Sequence, residues 1–152
     1  MDHDHYSQLY ISQVLHDVKS IALVGASNNP LRPSHVVMRY LLEHGYVVIP
    51  VNPGLAGQHL LGQNVYATLA DIPQAFDMVD IFRNSEAAGA VTLDALALRV
   101  KPSVIWMQLQ IRHDEAAAKA EAAGLRVVMN RCPKIELERL PAIQKEPSWI
   151  KT

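Results

Sequence analysis

The stretch from Gly25 to Ser34 has the residue types of an anion-binding turn. An apolar run, Ile21 to Val24, comes directly before it, and a helical pattern begins near His35. A strand, a turn of small residues and a helix N-terminus in this order expose backbone N–H groups at the positive end of the helix dipole. We therefore expect a negatively charged ligand to bind at this turn.

Amides and arginines also follow the other strands that the sequence predicts. The ligand crevice of an open α/β sheet lies outside the carboxyl ends of the strands, so these residues should meet at one edge. Neither Asp nor Glu is found among them, and such a lining favours a multiply charged, phosphorylated anion. The alternative is that the arginines are ordinary solvated loop residues. The strand-end residues are Ala26-Ser27-Asn28 with Arg32, Asn52-Pro53, Arg83-Asn84, Gln108-Leu109-Gln110 and Asn130-Arg131-Cys132.

The turn differs from the dinucleotide-binding and ATP-binding motifs. Dinucleotide sites usually carry Gly-x-Gly-x-x-Gly and an acidic residue at the end of the second strand. Here only Gly25 matches, because Ser27 and Pro30 take the places of the other glycines and the second strand ends at Asn52. The sequence also has no Gly-Lys-Ser/Thr, which excludes a P-loop. The residues alone therefore support an NAD site only weakly.

No set of side chains typical of catalysis or metal binding stands out. Cys132 is better explained as a packed thiol than as a reactive one, and His35 is as readily a surface residue as a phosphate contact. His3 and His5 fit a frayed terminus better than a metal-binding pair. We therefore predict no catalytic residue and no metal site.

The order of apolar patterns predicts a Rossmann-like α/β fold. Five apolar segments alternate with helical patterns, as in an open, doubly wound parallel sheet within a three-layer α/β/α arrangement. The expected order of this five-stranded sheet is 3-2-1-4-5, with a switch point between strands 1 and 4. The predicted strands are 21–25, 46–51, 78–82, 103–107 and 126–129, and the predicted helices are 8–18, the segment between Ser34 and Gly45, 86–99, 114–123 and 135–140.

Short signals set the ends of several elements. Ser7, Ser34 and Ser85 are predicted helix N-caps, while Gly45 and Gly124 are predicted to end helices. We also expect a short hairpin within 52–68, a helical turn from Thr68 to Ile72, and a tail over 141–152 whose Trp lies on the surface.

Composition narrows the class of protein. The 152 residues suit one domain, and the net charge of −1 gives no support for a nucleic-acid or membrane-surface partner. No apolar run approaches the ~20 residues that span a bilayer. The N-terminus lacks the features of a signal peptide, and the single cysteine rules out an internal disulfide. We expect one cytoplasmic domain over 1–152, with its core at about 10–140.

Several short motifs together resemble the small bacterial CoA-binding proteins. These are stand-alone relatives of the CoA-binding N-terminal domain of the succinyl-CoA synthetase alpha subunit, and the resemblance covers most of the chain. It implies a Rossmann-like domain whose strand-end loops hold coenzyme A. The motifs are Gly25-Ala26-Ser27 with Arg32-Pro33-Ser34, Pro50-Val51-Asn52-Pro53, Asp80-Ile81-Phe82-Arg83, Trp106-Met107-Gln108-Leu109 and Asn130-Arg131-Cys132-Pro133-Lys134-Ile135-Glu136.

The resemblance implies a role for each strand end. Coenzyme A or acyl-CoA would be bound without catalysis, because the phosphorylated histidine of the synthetase lies in a second domain that this sequence does not contain. One departure is Gln110, where related chains commonly have glycine and where a side chain would narrow the pantetheine path. Gly25, Ala26, Ser27 and Asn28 would hold the pyrophosphate, with Arg32 as charge partner and Pro33 and Ser34 beside it, Asn52 and Pro53 would lie by the adenosine, Phe82, Arg83 and Asn84 would line the floor, and Asn130, Arg131 and Cys132 would close the crevice.

Two other interpretations stay open. One is an enzyme that uses NAD(P) or another nucleotide. The other is an interaction module with a vestigial crevice, which would serve an acyl-CoA-using protein partner or form a homodimer.

Overall fold

Helices and strands alternate along the chain in the computed structural model, which describes residues 1–140; the predicted surface tail lies outside the described residues. The helices are α1 (Gln8–Asp17), α2 (Pro33–Glu43), α3 (Ser85–Leu96), α4 (Asp114–Ala122) and α5 (Pro133–Arg139). The strands are β1 (Ser20–Val24), β2 (Val47–Val51), β3 (His59–Leu60), β4 (Gln63–Asn64), β5 (Met78–Ile81), β6 (Val104–Met107) and β7 (Arg126–Val128).

Five of the strands form one parallel sheet with helices on both faces. The sheet order is β2-β1-β5-β6-β7. On one face α1, α2 and α5 cover a core that includes the fully buried Trp106, and on the other face α3 and α4 cover a second core. The doubly wound, Rossmann-like α/β class predicted from the sequence is therefore confirmed.

The predicted strand order, 3-2-1-4-5, is wrong. The third long strand, β5, pairs with β1 and not with β2, so the order of the long strands is 2-1-3-4-5 and the switch point lies between β1 and β5. Pro50 gives the physical reason. Its carbonyl faces away from β1 and accepts from the N–H of Tyr66 at 3.1 Å, so the N–H that proline lacks would also face the outer edge. A strand with this gap suits the edge of a sheet.

Two predicted N-caps are displaced by one or two residues. Ser34 is buried within the first turn of α2, which begins at Pro33, with Arg32 at the N-cap position. Proline favours the first helical position because its missing N–H would lack a helical partner there. Ser85 begins α3, and Asn84 is the cap, since its Oδ1 accepts from the N–H of Ala87 at 2.8 Å.

The other predicted ends agree with the structure. Ser7 caps α1, and Gly45 and Gly124 follow α2 and α4 with φ of 90° and 92°. The predicted hairpin is present as β3 and β4, and a helical turn follows Thr68 at Leu69–Asp71.

Two tyrosines cover the outer edge of β7. The Tyr10 hydroxyl donates to the carbonyl of Val127 at 2.8 Å and accepts from the N–H of the same residue at 3.1 Å. The Tyr6 hydroxyl accepts from the N–H of Met129 at 2.9 Å. Burial raises the pKa of Tyr10 to about 12, so this hydroxyl keeps its proton at neutral pH.

Gly25 fits where the ends of β1 and β5 meet. Its φ is 90°, and a Cβ built on it would overlap the carbonyl oxygen of Phe82. The N–H of Phe82 in turn donates to the carbonyl of Val24 at 2.8 Å. The turn after β1 therefore requires glycine both for its backbone conformation and for its contact with the neighbouring strand end.

Gly25→Ala should lower the free energy of unfolding by about 2–5 kcal/mol, since it adds left-handed strain and a steric overlap. Gly124→Ala is the matched control, because its φ is 92° and no atom lies within 4 Å of the added Cβ. The control should cost about 1–2 kcal/mol from strain alone. Urea unfolding measures both losses, and equal losses would contradict the close contact with Phe82.

Candidate functional site

A crevice of about 860 Å³ opens at the carboxyl ends of the central strands. This volume is within the usual range for small-molecule sites. A smaller hollow of about 330 Å³ adjoins it and shares Gly25, Asn52 and Arg83. The crevice is lined by Gly25, Ala26, Ser27, Leu31, Arg32, Pro33, Ser34, Val36, Val37, Asn52, Phe82, Arg83, Asn84, Gln108, Leu109, Ile111, Cys132, Lys134 and Ile135.

The turn after β1 is braced against the end of β2. The N–H groups of Gly25 and Ala26 both donate to the carbonyl of Val51, at 3.0 and 3.3 Å. The Asn52 amide donates to the carbonyl of Ala26 at 2.7 Å and accepts from the N–H of Gly54 at 2.8 Å. Asn52 therefore holds the turn in place, at the position where a dinucleotide site carries an acidic residue for the ribose.

The rest of the loop satisfies some of its N–H groups and leaves others free. Ser27 Oγ accepts from the N–H of Asn29, and Asn29 Oδ1 accepts from the N–H of Leu31. Within residues 1–140, the N–H groups of Ser27 and Asn28 have no acceptor, and no side chain caps the start of α2. Unpaired donors at a helix N-terminus are a favourable site for a phosphate group.

His35 is buried beside this loop and holds it through a hydrogen bond. It is 5% exposed, and its Nδ1 donates to the carbonyl of Ser27 at 2.8 Å. The other ring nitrogen, Nε2, lies 3.5 Å from the guanidinium of Arg39. His35 does not line the crevice, so it is a buried support of the loop after β1 and not a surface residue.

The charged side chains along the crevice are cationic. Arg32 and Arg83 are exposed, and the guanidinium group of neither makes a hydrogen bond or ion pair with any described residue. Lys134 also lines the crevice, but its Nζ lies 3.1 Å from Glu138 and 5.2 Å from the centre of the Tyr40 ring. No Asp or Glu lines the crevice within the described part of the chain. The field at its mouth therefore favours an anion.

The structure brings most of the predicted site residues together. Asn28, Asn130 and Arg131 line neither the crevice nor the hollow, whereas Pro53 lines the hollow. The remaining predicted residues line the crevice itself, and they are Gly25, Ala26, Ser27, Arg32, Pro33, Ser34, Asn52, Phe82, Arg83, Asn84 and Cys132.

Asn130 and Arg131 stabilise the loops behind the crevice. Asn130 has φ 59°, and its Oδ1 accepts from the N–H of Gln110 at 2.7 Å. Gln110 has φ 67°, a left-handed backbone conformation that favours glycine, and it lies outside the crevice lining. Arg131 lies 3.6 Å from Glu136 and stacks over the Tyr6 ring at 5.3 Å.

The lining residues that sequence reasoning missed are mainly apolar. A search for polar groups at strand ends passes over them, and Val36 and Val37 look like the core stripe of a helix. Leu31 carries a signal that could have found it, since it is a large apolar residue within a polar loop. The missed residues are Leu31, Val36, Val37, Ile111, Lys134 and Ile135, whereas Gln108 and Leu109 were expected at this edge as strand-end residues.

A buried carboxyl group lies beneath this end of the sheet. Asp80 on β5 is fully buried, and burial raises the pKa of its carboxyl well above the usual range. With its amide nitrogen toward Asp80, Gln108 donates to the two carboxyl oxygens at 3.0 and 3.3 Å. Gln108 lines the crevice, so this pair links the crevice floor to the core.

Residues 1–140 meet neither the requirements of a metal site nor those of a membrane-spanning helix. Among residues 1–140, no group of three His, Cys, Asp or Glu side chains is arranged to hold a metal ion. None of the helices in the same part of the chain is long and apolar enough to cross a membrane.

Asp80→Asn should remove a pH dependence of stability. The pKa of Asp80 is higher in the folded protein than in the unfolded chain, so unfolding releases a proton as the pH rises above the ordinary aspartate value. Between the two pKa values, the wild type should lose about 1.4 kcal/mol of stability per pH unit relative to the variant. Urea unfolding of both proteins from about pH 4 to pH 8 measures this difference. A constant difference would show that Asp80 ionises alike in both states.

The sequence matches a known protein family over the region that forms the sheet and the crevice. A family described as "CoA binding domain" matches residues 19–138, which include every strand of the five-stranded sheet and every residue that lines the crevice. The chain is similar to YneT, an uncharacterized protein of Bacillus subtilis (strain 168), with 33% identity over 129 residues, or 85% of this chain and 93% of YneT.

Solved structures of similar proteins share the fold. A hypothetical protein from Pyrococcus horikoshii OT3 has 40% identity and a TM-score of 0.83, with 91% of this chain and 94% of that chain covered. A protein from Thermus thermophilus has 39% identity and a TM-score of 0.82, with 89% and 99% covered. The family match spans the sheet and the loops that form the crevice, and on this ground the chain belongs to the CoA-binding domain family.

Proposed function

We propose that this protein binds coenzyme A in the crevice at the carboxyl ends of the strands. The observation that carries the proposal is the pair of unpartnered arginines, Arg32 and Arg83, beside a turn with free N–H groups. Coenzyme A carries several phosphate charges, which such donors recognise through charge-assisted hydrogen bonds. The family match supports the same ligand.

The pyrophosphate would lie at the turn after β1. There the N–H group of Ser27 and the uncapped start of α2 provide donors, and Arg32 provides charge. Phosphate binding at such a turn needs a backbone that is already held in shape, because a mobile loop would lose entropy on binding. His35 and Asn52 hold it through their hydrogen bonds to the Ser27 and Ala26 carbonyls.

The adenosine would lie toward the smaller hollow. Val51, Pro53, Leu69 and Val91 give this hollow apolar walls, and Asp94 adds an acceptor. A flat base with an exocyclic amine suits that combination. The Asn52 side chain is occupied by Ala26 and Gly54, which favours coenzyme A over a dinucleotide whose ribose needs an acceptor at this place.

We also propose that the protein holds its ligand without transforming it. The side chains near the crevice that could transfer protons are already engaged: His35 donates to the Ser27 carbonyl, and Asp80 is sealed in the core with Gln108. The lone cysteine, Cys132, is buried and free. A reduced buried thiol suits the cytoplasm, where we place the protein.

Calorimetric titration with coenzyme A, NAD, NADP and ATP tests the function. Coenzyme A should give saturable binding that is tighter than that of the other three. In a further titration with acetyl-CoA, the acetyl-CoA recovered from the calorimeter cell should be chemically unchanged. Saturable binding of NAD without binding of coenzyme A would favour the nucleotide-using enzyme. Binding of none of them would favour the interaction module.

Arg32→Ala and Arg83→Ala should each weaken coenzyme A binding by about 1.5–3 kcal/mol, since each removes a charge-assisted contact with phosphate. Arg99→Ala is the matched control, because Arg99 is exposed and lies outside the crevice and the hollow. Titration calorimetry compares the three variants with the wild type. If the two crevice variants bind as tightly as Arg99→Ala, the phosphates do not lie where we propose.

A further inference from the structure

Four exposed apolar side chains gather at the mouth of the crevice. They are Leu31, Leu109, Val36 and Ile135, which are 88%, 49%, 42% and 37% exposed. The other large apolar side chains exposed in residues 1–140 line neither the crevice nor the hollow. We call these four residues the apolar rim. Clustered exposed apolar side chains mark a surface that is covered in the working state of a protein.

Two of the rim residues, Leu109 and Ile135, lie away from the strand ends that carry the free N–H groups and Arg83. Leu109 follows β6 and Ile135 lies on α5, whereas the free N–H groups and Arg83 follow β1 and β5. In the sheet, β6 lies on the far side of β5 from β1. The other two, Leu31 and Val36, lie on either side of Arg32 at the start of α2, and α2 packs against α5. The part of the crevice near Leu109 and Ile135 therefore has a mainly apolar wall, whereas unpaired positive charge lies near the ends of β1 and β5.

The polar groups at the apolar end already have partners within the protein. The Gln108 amide donates to Asp80, and the Lys134 ammonium is paired with Glu138. Between them the lining continues with Val37, Ile111 and Cys132, and a buried thiol behaves as a small apolar group. A ligand that reaches this end finds mainly apolar surface to contact.

We propose that the natural ligand is an acyl-CoA, with its acyl chain of several carbons on the apolar rim. The inference rests on the proposed function, since it assigns the other end of the ligand whose phosphates bind at the first turn. Free coenzyme A ends in a small thiol and has no hydrocarbon chain to cover the rim. An acyl-CoA matches the crevice in both respects, because its phosphates are anionic where the lining is cationic and its acyl chain is apolar where the lining is apolar.

Titration of the full-length protein with coenzyme A and with acetyl-, butyryl-, hexanoyl- and octanoyl-CoA tests the inference. Affinity should rise about two- to fourfold per added methylene until the rim is covered, as expected when each methylene is partly or fully buried. Leu109→Ser should weaken octanoyl-CoA binding about tenfold more than it weakens coenzyme A binding, since the proposed acyl chain would cover this side chain.

Leu93→Ser is the matched control, because Leu93 is 44% exposed on α3 and lines neither the crevice nor the hollow. It should leave both affinities unchanged. Val36→Thr keeps the side-chain shape, so it provides a second rim variant should Leu109→Ser fold poorly, and it should reduce the preference for octanoyl-CoA by at least about threefold. Circular dichroism confirms that each variant is folded.

The outcomes separate the two proposals. Equal affinity of the wild type for coenzyme A and octanoyl-CoA would overturn the acyl inference and leave the proposed function standing. Equal losses for both ligands in Leu109→Ser would also overturn it, because the rim would then contact the pantetheine arm. Absence of binding by every thioester and by coenzyme A would overturn the proposed function itself, and the acyl inference with it.

Discussion

The structure depends on the contact between the turn at Gly25 and the carbonyl of Phe82. This contact exists because β5 lies directly beside β1, and it leaves no room for a side chain on the turn. It brings Arg83 to the same crevice as Arg32, although 50 residues of sequence separate them. The close contact between these neighbouring strand ends therefore fixes the path of the loop and places Arg32 and Arg83 along the same crevice.

The binding properties of the crevice follow from which polar groups are left unpaired. Asn52, His35, Gln108 and Lys134 are polar, but each is bonded to a neighbour in the fold. The N–H groups of Ser27 and Asn28 and the guanidinium groups of Arg32 and Arg83 have no partner among the described residues. The attraction for an anion is therefore concentrated near the ends of β1 and β5. Hydrogen bonds inside the protein therefore determine the selectivity of the site as much as the groups that face a ligand.

The sequence could predict the elements and most of the crevice, because parallel strands end at one edge and their following residues must meet there. It could not predict, by pattern alone, that β5 joins β1, although Pro50 is a signal against a central second strand. Arg131 was expected at the crevice from its strand end, yet packing against Tyr6 and Glu136 turns it away. Val36 was missed because surface exposure of a helical valine depends on tertiary packing.

The two outer strands restrict how copies of this protein can assemble. On β7 the Val127 N–H and carbonyl are occupied by Tyr10, and the Met129 N–H is occupied by Tyr6. On β2 the carbonyl of Pro50 is bonded to Tyr66, and proline offers no N–H. A continuous intermolecular sheet needs a row of free backbone groups along an edge. Strand addition is therefore hindered at both outer edges of the sheet that residues 1–140 form.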